Sequence, residues 1–193
     1  YGQENAISVF TSGYFQAELT SLTNKVRNKP KATFLFAGPP GVGKTFLAET
    51  VANNIPGFKY QRFDMSEYCD KESSLEFIGS DDVFKGSKEG NFTKFVKENP
   101  KCVILFDEIE KAHISIIHLF LQILDAGVIR DSKTDDEISL RNAILIFTTN
   151  AGKQLYENTE NRDYSEISRK VILKAIEETK DNTGLILCFA FIY

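Results

Sequence analysis

The sequence predicts an α/β fold, a three-layer αβα sandwich on a mainly parallel five-stranded sheet, and three observations carry that prediction. Short apolar runs alternate along the chain with longer amphipathic segments, the order that builds parallel strands joined by crossover helices. Gly38-Pro39-Pro40-Gly41-Val42-Gly43-Lys44-Thr45 fits the phosphate-loop pattern GxxxxGK[ST], and it sits between a strand-like run and a helix-like one. The apolar run at 103–106 ends in two adjacent carboxylates, Asp107 and Glu108. At 193 residues the chain suffices for one domain with a buried core, and 42% hydrophobic with 26% charged residues marks a folded chain.

Residues 4–28 read as a helix that stops at Asn28-Lys29-Pro30, since the residue before proline is pushed out of the helical region. Residues 33–37 form the first strand, and 44–54 a helix ended by Ile55-Pro56-Gly57. Residues 60–64 form the second strand. Ser73, with Glu76 three residues on, has the spacing to cap a short helix. The polar, glycine-rich stretch 79–91 reads as loop and 92–98 as helix. Residues 102–106 form the third strand, opened by Cys102 as a small core residue. In 114–125, Ile116, Ile117, Phe120, Leu121 and Leu124 recur at helical spacing and face the core. Residues 143–147 form the fourth strand, with Thr148-Thr149-Asn150 at its C-terminal tip. A polar loop at 156–164, a helix near 166–179 and an apolar fifth strand within 185–192 complete the pattern.

Composition excludes several functions. A net charge of −4 and a pI near 5.3 argue against nucleic-acid binding. No apolar run reaches the ~20 residues of a membrane span, and no signal-peptide pattern opens the chain, so a cytoplasmic location is expected. Cys69, Cys102 and Cys188 are scattered without CxxC spacing, as a reducing compartment tolerates. His113 and His118 fall five apart, off the spacing that would pair them as metal ligands on one helix face. The chain begins Tyr1-Gly2-Gln3 rather than with Met, so a fragment of a longer protein is expected.

The motifs imply phosphate chemistry. Gly38, Pro39, Pro40, Gly41, Val42 and Gly43 form a loop whose backbone N–H groups converge on phosphate at a helix N-terminus. Lys44, expected to face solvent, brings positive charge to the β- and γ-phosphates, and the Thr45 hydroxyl is placed to ligate Mg2+. Asp107 would hold Mg2+ through water, and Glu108 would orient and deprotonate the attacking water. Their simpler reading is an acidic pair capping the next helix. Asn150 can hydrogen-bond the γ-phosphate or the water without adding charge; its simpler reading is a turn residue.

Arg62-Phe63-Asp64-Met65-Ser66-Glu67-Tyr68, Asp107-Glu108-Ile109-Glu110-Lys111-Ala112-His113 and Leu121-Gln122-Ile123-Leu124-Asp125-Ala126-Gly127 resemble the Clp-type AAA+ unfoldases. The likeness is to the second ATPase domain of ClpA/ClpB/ClpC-like proteins, and it runs from Gly2 to about Gly152. It includes Arg141-Asn142 and Thr148-Thr149-Asn150 as a sensor-1 strand. The resemblance implies the large subdomain of a P-loop NTPase of the AAA+ class over residues 1–193, without the helical lid. It implies ATP and Mg2+ as cofactors and a hexamer that threads unfolded protein through its pore. Phe84, in Val83-Phe84-Lys85-Gly86, falls where the family carries an aromatic pore-loop residue.

Several family features are absent. No Arg follows Arg169, so the arginine finger has no counterpart, and the tail from Leu185 to Tyr193 does not match. No Ile-Gly-Leu or Ile-Gly-Phe tripeptide follows Asn150, although Thr148-Thr149-Asn150-Ala151-Gly152 resembles members that feed a ClpP-like peptidase. The isolated chain is therefore expected to be monomeric and a weak ATPase. The rival readings are a nucleotide-dependent assembly module and a torsin-like remodeller that does not thread substrate.

Overall fold

Alternation of side chains along three central strands fixes the layers. The computed structural model describes residues 4–23, 27–80, 88–150 and 188–191. In chain order the elements are α1 (Glu4–Thr23), β1 (Ala32–Ala37), α2 (Lys44–Asn53), β2 (Lys59–Asp64), α3 (Lys71–Ile78), α4 (Asn91–Glu98) and β3 (Cys102–Asp107). There follow α5 (Ile114–Ala126), β4 (Val128–Arg130), β5 (Glu137–Ser139), β6 (Ile144–Thr149) and β7 (Cys188–Phe191). Among the described residues, five strands form one parallel sheet in the order β2-β3-β6-β1-β7, and β4 and β5 form a separate antiparallel pair.

Every residue of β3 and β6 is buried, as befits central parallel strands covered on both faces. Ile104, Phe106, Leu145 and Phe147 point to one face, where they meet α3, α4 and α5 through Phe77, Phe92 and Phe120. Val103, Leu105, Ile144 and Ile146 point to the other, where α1 and α2 supply Phe10, Leu47 and Ala48. The first face is an aromatic cluster. Phe106 lies 4.5 Å from Phe120 and 5.0 Å from Phe147 between ring centroids, and Phe77 stacks on Phe92 at 4.7 Å. Cys102 is fully buried, as expected, and burial pushes its thiol up to about 12.

Four expectations are corrected. The helix expected over 4–28 is described as far as Thr23, and Arg27–Pro30 is not helical. Tertiary contacts hold that segment out of the helix: the Arg27 guanidinium donates to Arg141 O at 2.7 Å, and the Asn28 carbonyl lies where a Cβ on Gly127 would sit. Ser73 is not the cap of α3. Asp70 caps it, accepting from Ser73 N at 2.8 Å, while Ser73 Oγ accepts from Asp70 N, so the capping box sits one turn earlier. Strand β6 extends to Thr149 and β3 to Asp107, because pairing continues past the apolar run: Ala37 opposite Thr149, Asp64 opposite Asp107. The β4–β5 hairpin has no counterpart in the sequence reading, since its strands are three residues each. The fifth strand expected within 185–192 is β7, parallel to β1. The expectations at 156–164 and 166–179 lie outside the described residues.

One buried carboxylate organises the hairpin. Asp131 is 1% exposed; its Oδ1 accepts from Lys133 N at 2.9 Å and Thr134 N at 3.0 Å. Its Oδ2 accepts from Gly90 N at 3.3 Å and, in a short bond, from the Thr93 hydroxyl, so hairpin and α4 are tied together. Burial works to raise its pKa, but the bonds from Thr93, Thr134, Lys133 and Gly90 outweigh that and hold it below the usual carboxylate range. Asp131→Asn turns an NH2 toward backbone donors and is expected to cost about 2–4 kcal/mol, read as a lower urea midpoint at unchanged slope. Because the folded pKa is depressed, the carboxylate's contribution is complete above about pH 4 and fades as pH falls through the folded value, so the gap between variant and parent narrows in acid.

Candidate functional site

Ligands in open parallel sheets bind beyond the carboxyl ends of the strands, and there a cleft of about 480 Å3 opens at the ends of β1, β3 and β6. Its lining includes Pro40, Gly41, Gly43, Lys44, Thr45, Phe46, Arg62, Asp107, Glu108, Thr148 and Asn150. Residues 38–43 turn from β1 into α2 with Gly41 at φ 83° and Gly43 at φ 90°, left-handed values that a Cβ disfavours. The loop is tied to the sheet by Gly38 N donating to Thr149 O at 3.4 Å.

Lys44 does not face solvent. It is 6% exposed, and its ammonium donates to Gly38 O, Pro39 O and Asn150 Oδ1, each at 2.8 Å. The loop curls around the lysine it presents, and all three ammonium donors have a partner. Burial pushes its pKa below the usual lysine range, against the opposing pull of Glu110, Asp107 and Glu108.

Asp107 ends β3 and is 4% exposed. Thr45 Oγ1 approaches its two oxygens at 3.0 and 3.2 Å, Thr148 Oγ1 donates a short bond to Oδ1, and Arg62 Nη2 donates to Oδ2 at 2.6 Å. Asp107 therefore does not cap the following turn. A hydroxyl beside a carboxylate is a hard-oxygen set that suits Mg2+, which takes one or two carboxylates plus phosphate oxygens and water. The hydrogen bonds already on Asp107 favour contact through water. Among the described residues, no group of three or more His, Cys, Asp or Glu forms a metal site of its own.

Glu108 stands in the left-handed region at φ 56°, ψ 53°, a conformation costing on the order of 1–3 kcal/mol for a non-glycine residue. Glu108 N donates to Thr148 Oγ1 at 3.0 Å, and Lys111 N donates back to Glu108 O at 2.9 Å, which holds the kink. The kink turns the side chain to the cleft, where Asn150 Nδ2 donates to Oε1 at 3.1 Å and Lys111 Nζ to Oε2 at 2.6 Å. Asn150 is thus no simple turn residue: it lies between Lys44 and Glu108.

Two residues at the site were read only as parts of motifs. Arg62 lies beside Asp107, with Glu49 at 3.5 Å and Asp64 at 3.9 Å. Glu110 accepts from Thr149 and Asn150. Neither role has a local signal, because each depends on which strand lies next to which. The motifs also explain one another. Asp64 caps the turn at Met65–Tyr68 through Ser66 N and Oγ; Tyr68 O accepts from His113 N at 2.8 Å; His113 Nδ1 caps α5 by accepting from Ser115 N. Phe84 lies outside the described residues.

The family model described as AAA domain (Cdc48 subfamily) matches residues 29–183. ClpE of Bacillus subtilis, named an ATP-dependent Clp protease ATP-binding subunit, is 44% identical over 131 residues, 66% of this chain and 19% of ClpE. The chaperone protein ClpB of Clostridium tetani is 37% identical over 181 residues, 92% of this chain and 20% of ClpB. A closed-state cryo-EM reconstruction of Hsp104 with ATPyS and FITC casein superposes with a TM-score of 0.80 at 29% identity, over 99% of this chain and 33% of Hsp104. The chain spans about one fifth of the length of these curated relatives.

The site geometry sets the expected effect of removing Lys44. If Lys44 binds phosphate, Lys44→Ala removes charge-assisted bonds and should weaken nucleotide binding roughly 10–100-fold by calorimetric titration. The variant should remain folded by circular dichroism, since the carbonyls it leaves border an open cleft. Unchanged affinity would remove Lys44 from the binding site.

Proposed function

This chain belongs to the AAA domain family, Cdc48 subfamily, as a Clp-type AAA+ ATPase domain, and from that premise we propose that it binds and hydrolyses ATP to drive protein unfolding or disaggregation. The observation that carries the proposal is the convergence of Lys44, Thr45, Asp107, Glu108 and Asn150 on one cleft at the strand ends. The N–H groups of 41–45 and the Lys44 ammonium bind the β- and γ-phosphates, offsetting their charge at the α2 N-terminus. Thr45 and Asp107 would hold Mg2+, which would supply charge neutralisation at the phosphates. Glu108 orients a water in line with the γ-phosphorus and accepts its proton as the new P–O bond forms and the bond to ADP breaks. Asn150 hydrogen-bonds the γ-phosphoryl or the water, adding a dipole and no negative charge.

The unit we propose is the large subdomain of a longer protein that works as a cytoplasmic hexamer on unfolded protein, with Phe84 as the pore-loop contact. The relatives divide on a peptidase partner: ClpE is named a subunit of a Clp protease and ClpB a chaperone. A ClpP-like partner is therefore part of the proposal for the parent protein only. An arginine supplied by a neighbouring subunit is worth ~10³–10⁵ in turnover where such fingers act. No Arg follows Arg169, so residues 1–193 alone should be monomeric and hydrolyse ATP near background. One observation favours a second reading, a binding module with rare turnover: Arg62 lies on Asp107 at 2.6 Å and competes with a cation there.

Two measurements decide between the readings. In the full-length protein, Glu108→Gln should keep ATP binding, cut phosphate release by about 10²–10⁴-fold and trap the assembly with nucleotide. Unchanged turnover in that variant would assign Glu108 a structural role. Negligible turnover in the parent itself, with tight ATP binding, would support the binding module.

A further inference from the structure

Asn150 is held by more groups than a residue at the end of a strand needs. Lys44 Nζ donates to its Oδ1 at 2.8 Å, and its Nδ2 donates to Glu108 Oε1 and Glu110 Oε1, each at 3.1 Å. These partners admit one orientation of the amide. An ammonium only donates and a carboxylate only accepts, so rotating the amide by half a turn would set Oδ1 against two carboxylates and Nδ2 against a cation. Glu110 does more than accept from that amide. The same Oε1 accepts from Asn150 N at 3.1 Å, and Oε2 accepts from Thr149 Oγ1 at 2.8 Å. One carboxylate on the turn after β3 thus clasps the backbone, the side chain and the preceding residue at the tip of β6.

We propose that Glu110 is a positioning residue that locks the Asn150 amide, with its oxygen on Lys44 and its nitrogen on the Glu108 side of the cleft. The inference rests on the proposed ATPase reading for its kinetic consequence, not for its geometry. Both Nδ2 hydrogens are engaged, so for Asn150 to reach a γ-phosphate or a water, one must leave its partner. Glu108 must be released if it is to receive a proton. Glu110 is not among the residues that line the cleft and is free to stay. Asn150 can then exchange Glu108 for the γ-phosphoryl while Glu110 keeps the amide from turning over. Lys44 is affected as well, because its third bond ends on the Asn150 oxygen that Glu110 helps to orient. Loss of the clasp would leave the Asn150 amide free to rotate and Lys44 with a wandering third partner.

The test separates geometry from charge. In Glu110→Gln, the amide oxygen can still accept from Asn150, while its NH2 donates to Thr149 Oγ1, whose hydroxyl rotates to accept. Glu110→Ala loses all three bonds. On 15N-labelled protein, the Asn150 side-chain NH2 pair, identified by its disappearance in Asn150→Ala, should be shifted and slow to exchange in the parent. It should stay so in Glu110→Gln and collapse toward free-amide values in Glu110→Ala. In single-turnover hydrolysis by the full-length protein, Glu110→Ala should lose about 10–100-fold in rate, the scale set by a misplaced catalytic group, with nucleotide Kd changed less than about threefold. Glu110→Gln should recover most of the rate, and Glu110→Ala should have no further effect in an Asn150→Ala background.

An Asn150 NH2 signal unchanged in Glu110→Ala overturns the proposal whether or not the protein hydrolyses ATP. Equal rate losses in the Gln and Ala variants, or a loss that persists without Asn150, overturn it too, by assigning Glu110 a role in charge or in folding. If Glu110→Ala does not fold, Thr149→Val removes one of the three bonds at constant volume, and an Asn150 signal that fails to move overturns the proposal. Absence of turnover in the parent counts against the ATPase reading alone.

Discussion

The buried Asp107 carboxylate is the interaction on which the site is built. It closes β3 at a point where β6 presents Thr148 from one side, α2 presents Thr45 from above and β2 brings Arg62 from the other side. A 4% exposed carboxylate without these partners would be a buried, unpaired charge, which is costly. The three donors keep it paired, and in doing so they fix the relative heights of the phosphate loop, the two central strands and the edge strand. A shift of β6 by one residue would put Thr149 in place of Thr148 and point the wrong side chain at Asp107.

The aromatic face beneath the site makes such a shift costly. Phe106 and Phe147 are stacked across β3 and β6 and both pack on Phe120 of α5, so register, helix position and carboxylate placement are set by one cluster. His113 couples the same helix to the turn after β2 through Tyr68 O, and its ring nitrogen caps the helix. The polar motifs therefore serve two ends. Asp64, Ser66, Tyr68 and His113 hold the turns together, and this leaves Arg62 and Glu108 directed at the cleft and Glu110 at the tip of β6.

Glu108 shows how much the site constrains its backbone. A left-handed glutamate is unfavourable in isolation and persists here because Thr148 and Lys111 bond it on both sides. Every donor of Lys44 and both carboxylate oxygens of Glu108 have a partner, and for each residue one of those partners is Asn150. Such a network changes as a unit: a group that takes Lys44 or Glu108 from Asn150 alters the balance on all three.

The sequence by itself determined the layer order, the phosphate loop and the identity of the acidic pair, because each is written in adjacent residues. Glycines at the left-handed positions, apolar runs of strand length and a carboxylate pair at a strand end are local features, and local backbone chemistry dictates their form. Tertiary structure decided what depends on residues far apart in the chain. It buried Lys44, which the sequence reading had turned to solvent, because Asn150 stands 106 positions away and supplies its third acceptor. It held Arg27 and Asn28 out of the helix, where contacts with Arg141 and Gly127 outweighed local propensity. Arg62 and Glu110 became site residues only when parallel pairing set β2 beside β3 and β3 beside β6, since a side chain's partner across a sheet is chosen by register and not by sequence neighbours.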